Sequence, residues 1–316
     1  MIDGLFSFPR SYTIRGKGRG RLKIDGVFSG GGIKGFALIG AYQAIEKRGY
    51  QFKRLAGTSA GSIISAFIIA GYTSDEILKI MDEVDLKMFL DERKSILPLP
   101  FTKWLSLYWN LGLYRGRKLE EWLCQKLRDR GVSTFADIAP GSLRVIASDL
   151  TNGRLMVIPD DLHHYGINPQ SFSVAKAVRM SCSLPYFFEP VKLNTSKGAT
   201  IFVDGGVLSN FPIWLFYQQD RPYKTRPVLG IKLSYSEKER PKKKINNAID
   251  LFGALFETMK EAHDGRHISR RHEKDMVFIP VEDIVTTEFE LNEQKKLALI
   301  ELGRNRTNEF LKKWSY

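Results

Sequence analysis

Leu55-Ala56-Gly57-Thr58-Ser59-Ala60-Gly61-Ser62 decides how this 316-residue chain is read. Ser59 stands at the centre of Gly-x-Ser-x-Gly, and an apolar helix-like run, Ile63 to Ile69, follows directly behind it. A nucleophilic serine has to project from a sharp strand-to-helix turn, and Gly57 and Gly61 let the backbone bend and a substrate approach. The same turn aims the N–H of Ala60 and the positive end of the new helix at a developing oxyanion. A plain strand–helix connection would carry the same small residues, so the motif has to be read with its neighbours.

Upstream, Ser29-Gly30-Gly31-Gly32-Ile33-Lys34-Gly35 follows a strand-like run, Leu22 to Phe28, and opens a helix-like segment, Phe36 to Lys47. Successive glycines leave N–H groups uncovered at a helix N-terminus, a ready place for negative charge, and Lys34 adds a mobile cation beside it. Gly30, Gly32 and Gly35 also fit Gly-x-Gly-x-x-Gly. A dinucleotide loop, however, expects an acidic residue about 20 positions on, at the end of the next strand. Gln51-Phe52-Lys53-Arg54 offers none, and the next strand runs into Ser59 instead. No nucleotide cofactor is expected. Downstream, Phe202-Val203-Asp204-Gly205-Gly206-Val207 is an apolar strand ending in a carboxylate. A strand's C-terminal edge is where open α/β sheets build their sites, although an Asp-Gly turn is the bland alternative.

With these three segments in this order, the chain resembles the patatin-like phospholipase family. Met180-Ser181-Cys182-Ser183-Leu184-Pro185, continuing through Phe188-Glu189-Pro190, is a fourth matching block. The resemblance runs from about Ile24 to Ile231, roughly two-thirds of the chain. It implies a three-layer α/β/α fold with a mostly parallel central sheet, and hydrolysis of lipid acyl esters by a Ser–Asp dyad without histidine. Ser59 would be the nucleophile and Asp204 its base. Gly31 and Gly32 would supply oxyanion N–H groups, and Lys34 stands where the family carries Arg or Lys. Gly30, Gly35, Gly57, Gly61, Gly205 and Gly206 complete the motifs as supporting positions.

The histidines agree with a dyad. A Ser-Asp-His hydrolase with this elbow places its histidine after the acid. His263, His267 and His272 lie there, in a basic polar stretch, while His163 and His164 precede Asp204; all five read as surface or satisfied side chains. A carboxylate with an ordinary pKa near 4 is a poor base for an alcohol, so Asp204 is expected to be buried and shielded.

The length suits one large α/β domain with a full core. Candidate strands are Leu22–Phe28, Phe52–Ala56, Leu143–Ser148, Leu155–Ile158, Ile201–Val203, Val228–Leu233 and Met276–Ile279, alternating with helix-like runs. The organisation read from this is a basic arm (1–23), a catalytic domain (24–231) and a C-terminal extension (232–316) that completes the fold. That extension ends in a covering helix between Phe289 and Trp314, broken near Gly303. Cys124 and Cys182 form no disulfide framework and read as reduced thiols. No acidic loop of calcium spacing and no Cys/His cluster implies a metal.

The net charge of +13 gathers in the N-terminal arm, in Lys238–Lys244 and in Arg266–Lys274. Sparse aromatic interleaving and no recognised module argue against a specific nucleic-acid partner. A solvated basic surface and peripheral docking to anionic membrane both remain open. With neither a signal peptide nor an apolar run of spanning length, a cytoplasmic location is expected, with room for peripheral contact at the inner membrane surface. Ser95 to Trp109 is aromatic and proline-broken; it reads either as core packing or as a lid at the acyl-chain entrance, with Trp104 and Trp109 at the interface. The expected partners are phospholipid or other glycerolipid esters. An acyltransferase, a thioesterase and a non-catalytic lipid-binding module remain as alternatives.

Overall fold

The computed structural model describes residues 22–93, 107–195, 198–217, 226–234, 245–246, 248–267, 270–281 and 292–315. Residues 1–21 of the expected arm, Lys238–Lys244, Trp104 and most of the Ser95–Trp109 segment lie outside them, while the arm's last two residues, Leu22 and Lys23, begin the first strand.

Ten strands are described: β1 Leu22–Phe28, β2 Tyr50–Thr58, β3 Gly112–Tyr114, β4 Leu143–Asp149, β5 Arg154–Ile158, β6 Tyr186–Phe188, β7 Val191–Thr195, β8 Gly198–Asp204, β9 Val228–Ser234 and β10 Met276–Pro280. The helices are α1 Phe36–Lys47, α2 Ala60–Ile69, α3 Ser74–Glu83, α4 Arg117–Arg128, α5 Val174–Ser181, α6 Ala248–His267, α7 Arg270–Glu273 and α8 Glu293–Lys313. Eight strands form one sheet, connected in the order β10-β9-β1-β2-β4-β8-β7 with β5 also on β4, while β3 and β6 pair separately. The β10–β9, β9–β1, β1–β2 and β2–β4 pairs are parallel; β4–β5, β4–β8 and β7–β8 are antiparallel. This is a mostly parallel sheet flanked by helices, the α/β/α architecture expected. Its central strands are buried on both faces: in β1, Ile24 to Phe28 are all buried, including the charged Asp25.

Strand order reverses beside β1. The chain moves from β1 to β2 in one direction, and β9 and β10 add on the other side. The loop after β1 therefore opens at a topological switch point, where open α/β sheets leave a crevice for ligands. Ser29 ties that loop down. Its N–H donates to the Ile231 carbonyl (3.0 Å) and its hydroxyl accepts from the Leu233 N–H (2.9 Å).

One pairing detail builds the site. Val145 to Asp149 of β4 pair with β5, which occupies one edge of that strand. The other edge is shared: Leu143 to Ile146 pair with β2, and Ala147 to Asp149 pair with β8. Since β2 runs parallel to β4 and β8 runs antiparallel, the two approach head to head. Thr58 ends β2 opposite Ile146, and Asp204 ends β8 opposite the next residue, Ala147. Asp204 thus ends its strand, as the sequence suggests, but that strand is antiparallel to β4. Asp204 reaches the site because β2 stops short.

The Phe289–Trp314 reading also needs correction. Helix α8 runs unbroken through Gly303. A Cβ on Gly303 would lie 1.9 Å from the Ala37 carbonyl oxygen, and one on Gly40 would lie 1.9 Å from that of Ile300. These glycines let α1 and α8 cross backbone to backbone, so Gly303 serves packing and breaks nothing.

Candidate active site

Ser59 lies between β2 and α2 with φ 52° and ψ −126°, a strained left-handed-side conformation for a residue with a side chain. Gly57 and Gly61 permit the turn. A Cβ on Gly57 would sit 2.5 Å from the Gly61 carbonyl oxygen, and one on Gly61 would sit 2.3 Å from that of Phe28. Ser59 occupies the N-cap of α2 without making a side-chain cap bond, which leaves its hydroxyl to face the cavity. Its own N–H donates to the Ser181 hydroxyl of α5 (2.8 Å), so the fourth sequence block braces the elbow.

Asp204 meets it from β8, nearly completely buried. One carboxylate oxygen accepts the Gly206 N–H (2.7 Å), and the Ser59 hydroxyl is within hydrogen-bonding reach. Burial pushes the carboxyl up to about 6. The Gly206 N–H, the Ser59 hydroxyl and the positive charge of Lys260 pull the other way without cancelling it. The shielding expected of Asp204 is present.

Gly31, Gly32, Gly35, Ser59, Ala60 and Asp204 line one cavity of about 120 Å³. Among the described residues, the amides of Gly31, Gly32 and Ala60 donate to no backbone carbonyl. Backbone donors in the wall that also holds a hydroxyl are groups of the kind that can stabilise an oxyanion. Away from them the wall is apolar, with Ile63, Met81, Phe89, Trp122 and Phe187 among its side chains, a lining suited to an acyl chain. Gly30 stands behind the loop, where a Cβ would be 3.2 Å from that of Ser59. Gly205 turns the chain hard against β4, since a Cβ there would lie 2.3 Å from the Ile146 carbonyl oxygen, and Gly206 supplies the N–H to Asp204.

Lys34 departs from the sequence reading. It is buried and lines a second cavity of about 30 Å³ behind the glycine loop, so it is no mobile cation at the reacting centre. No histidine lines the catalytic cavity among the described residues. His163 and His164 are exposed, and His272 stacks on Tyr217 at 3.6 Å between ring centres. Cys182 borders the cavity as a free thiol that burial pushes up to about 12.

Three residues of the site escaped the sequence reading. Asn210 is buried between the two glycine motifs, its carbonyl accepting the Gly30 N–H (3.1 Å). Phe256 and Lys260 reach the cavity from α6. Asn210 follows Asp204 closely enough to be suspected, but nothing in the pattern of α6 marks Lys260 as facing a site.

Comparisons with known proteins bear on the family and the fold. The family model for patatin-like phospholipases matches residues 26–217. The uncharacterized protein YqhO of Bacillus subtilis (strain 168) is 60% identical over 93% of this chain and 99% of its own length. A cUMP-AMP-activated phospholipase of Escherichia coli is 27% identical over 58% of this chain, which spans 54% of that protein. Among solved structures, VipD of Legionella pneumophila superposes with a TM-score of 0.55 at 16% identity, covering 94% of this chain and 67% of its own; that likeness concerns the fold. Among the described residues, no helix is long and apolar enough to cross a membrane.

Proposed function

This chain belongs to the patatin-like phospholipase family, and on that premise we propose that it is a serine acyl hydrolase of phospholipid or related glycerolipid esters, of the phospholipase A or lysophospholipase type, using Ser59 and Asp204. The observation that carries the reading is the Asp204 carboxyl, buried, raised to about 6 and within reach of the Ser59 hydroxyl at the head-to-head junction of β2 and β8. A base of that pKa is ionised at neutral pH and close enough to it to share a proton productively.

Ser59 Oγ attacks the ester carbonyl carbon while its proton passes to an Asp204 carboxylate oxygen. The carbonyl π electrons move onto oxygen, held by the N–H groups of Gly31, Gly32 and Ala60. Collapse expels the alcohol, which takes the proton from Asp204 and leaves an acyl-serine. Water then attacks the acyl carbon and gives its proton to Asp204. The second collapse releases the fatty acid and returns the proton to Ser59.

Peripheral contact with a lipid surface fits the exposed Tyr108 and Trp109, 75% and 69% accessible. Trp109→Ala should then lose activity on vesicles while a short soluble ester is spared; equal loss on both would make Trp109 a folding residue. The primary test is fluorophosphonate labelling of wild type and Ser59→Ala, paired with fatty-acid release from phospholipid vesicles. Both signals should vanish in the variant. Labelling without fatty-acid release would move the reading to acyl transfer or thioester cleavage. A folded wild type that takes no label would overturn it in favour of a binding module.

A further inference from the structure

Apart from Asp204, the catalytic cavity has one charged side chain in its wall among the described residues, Lys260. Lys260 is 6% exposed and stands on α6, outside the matched residues 26–217 that contain Ser59 and Asp204. Its placement is well fixed. Asp264, one turn further along α6, is buried, accepts the Phe211 N–H (3.2 Å) and pairs with Lys232 of β9. Phe256, one turn back, lies against the Asp204 loop, its ring 3.2 Å from where a Gly206 Cβ would stand. The Lys260 ammonium sits 5.5 Å from the Phe256 ring centre and 3.4 Å from a Glu257 carboxylate oxygen.

An ammonium has three N–H donors, and a single long contact to Glu257 uses at most one of them. Lys260 also lines the small cavity behind the glycine loop, together with Lys34 and Glu257, so two cations and one anion surround that space. A buried cation in a largely apolar wall is a place for an anion carried by the ligand. A glycerophospholipid bears its phosphodiester a few bonds from its ester carbonyls. Ser59 and Lys260 line the same cavity, which puts the reacting carbonyl and the ammonium in the walls of one space.

We infer that Lys260 is a specificity-determining residue whose ammonium binds the substrate phosphodiester, so that phosphate-bearing glycerolipids are preferred to neutral ones with the same acyl chains. The inference rests on the reading of Ser59 as nucleophile. It adds that discrimination comes from a helix outside the segment that performs the chemistry.

The test compares wild type, Lys260→Met, Lys260→Gln and Lys260→Arg on two monomeric short-chain substrates, a phosphatidylcholine and the matching diacylglycerol. Binding of their non-hydrolysable diether analogues to Ser59→Ala, with and without Lys260→Met, is measured alongside. The phosphate-to-neutral ratio of kcat/KM and of affinity should fall about 10- to 100-fold in the Met and Gln variants, the loss expected for a hydrogen bond to a charged group. Arg should retain most of the ratio. The ratio matters because Lys260 also acts on Asp204 through its charge, and that effect cancels between the two substrates. A wild-type ratio near one, or equal loss on both substrates with the acidic limb of the pH profile moved upward, would overturn the inference. If wild type cleaves neither substrate, the hydrolase reading fails, and the diether affinities alone decide for or against Lys260. The Gln variant and a melting curve guard against a misfolded Met variant.

Discussion

Two buried aspartates, Asp25 in β1 and Asp204 at the end of β8, share a residue type and a sheet but have opposite surroundings. Asp25 is fully buried between two arginines, accepting from Arg54 at 2.5 Å and from Arg226 at 2.9 Å. Both guanidinium groups reach solvent with about a third of their surface, at 34% and 33% exposed. Among the described residues, the donors to Asp204 are neutral, the Gly206 N–H and the Ser59 hydroxyl, and Lys260 acts on it through its charge. The first carboxylate is neutralised and holds strands together. The second is left costly when ionised, which suits it to the role of base proposed for it. What a buried acid does in this fold is set by its partners more than by its burial.

The largest effect that could break this contrast is at Asp204. Asp204→Asn should lower kcat by about 10⁴-fold, in the range seen when one member of a catalytic set is removed. Activity of the wild type should fall tenfold per pH unit below about 6, as the base takes up its proton. The same substitution should stabilise the protein at pH 8. A folded-state pKa raised from 3.8 to about 6 means that ionised Asp204 costs about 3 kcal/mol of stability. That cost is fully present above pH 6 and is relieved as pH falls from 6 towards 3.8. Denaturant unfolding at pH 8 and pH 5 checks both sign and window; an Asn variant that is less stable than wild type at pH 8 breaks the comparison.

Asp25→Ala should do the reverse. It should cost about 3 kcal/mol, the low end for a broken buried ion pair because both arginines can turn to solvent. The kcat of the remaining folded molecules should be intact. A large kcat loss without unfolding would show that the two aspartates are not divided as described. The smallest effect should come from Ser181→Ala, which removes the acceptor of the Ser59 N–H. About a tenfold loss in kcat with little change in KM is expected, since one net hydrogen bond steadies the nucleophile. A matching fall in melting temperature with kcat unchanged would make Ser181 a packing residue only.

Much of this was legible in the sequence because it is local. The elbow around Ser59, the glycine run and the Asp204 strand are short segments whose residue types state their backbone needs, and α1 and β1 have the boundaries their apolar periods suggest. What escaped is non-local. Strand β7 carries only one buried side chain, Leu193, so its pattern is too weak to read. Strands β3 and β6 have three residues each and exist by pairing with each other. The head-to-head meeting of β2 and β8 depends on both sharing one edge of β4, which no segment records by itself. Gly303 looked like a breaker because a close helix crossing requires the same residue as a helix end. Lys260 escaped for a related reason: which cation faces the cavity is fixed by packing between distant elements.

The crossing of α1 and α8 has a consequence for timing. Helix α1 carries the glycine loop at its N-terminus, yet its packing partner lies about 260 positions later in the chain. At a synthesis rate of about 5–20 residues per second, roughly 10–50 s separate the appearance of Gly40 from that of Gly303 on the ribosome. During that interval the Ser59 elbow already exists as sequence, but the helix behind the glycine loop lacks its α8 neighbour. A nascent chain is thus denied the Gly40–Gly303 crossing until both glycines have emerged.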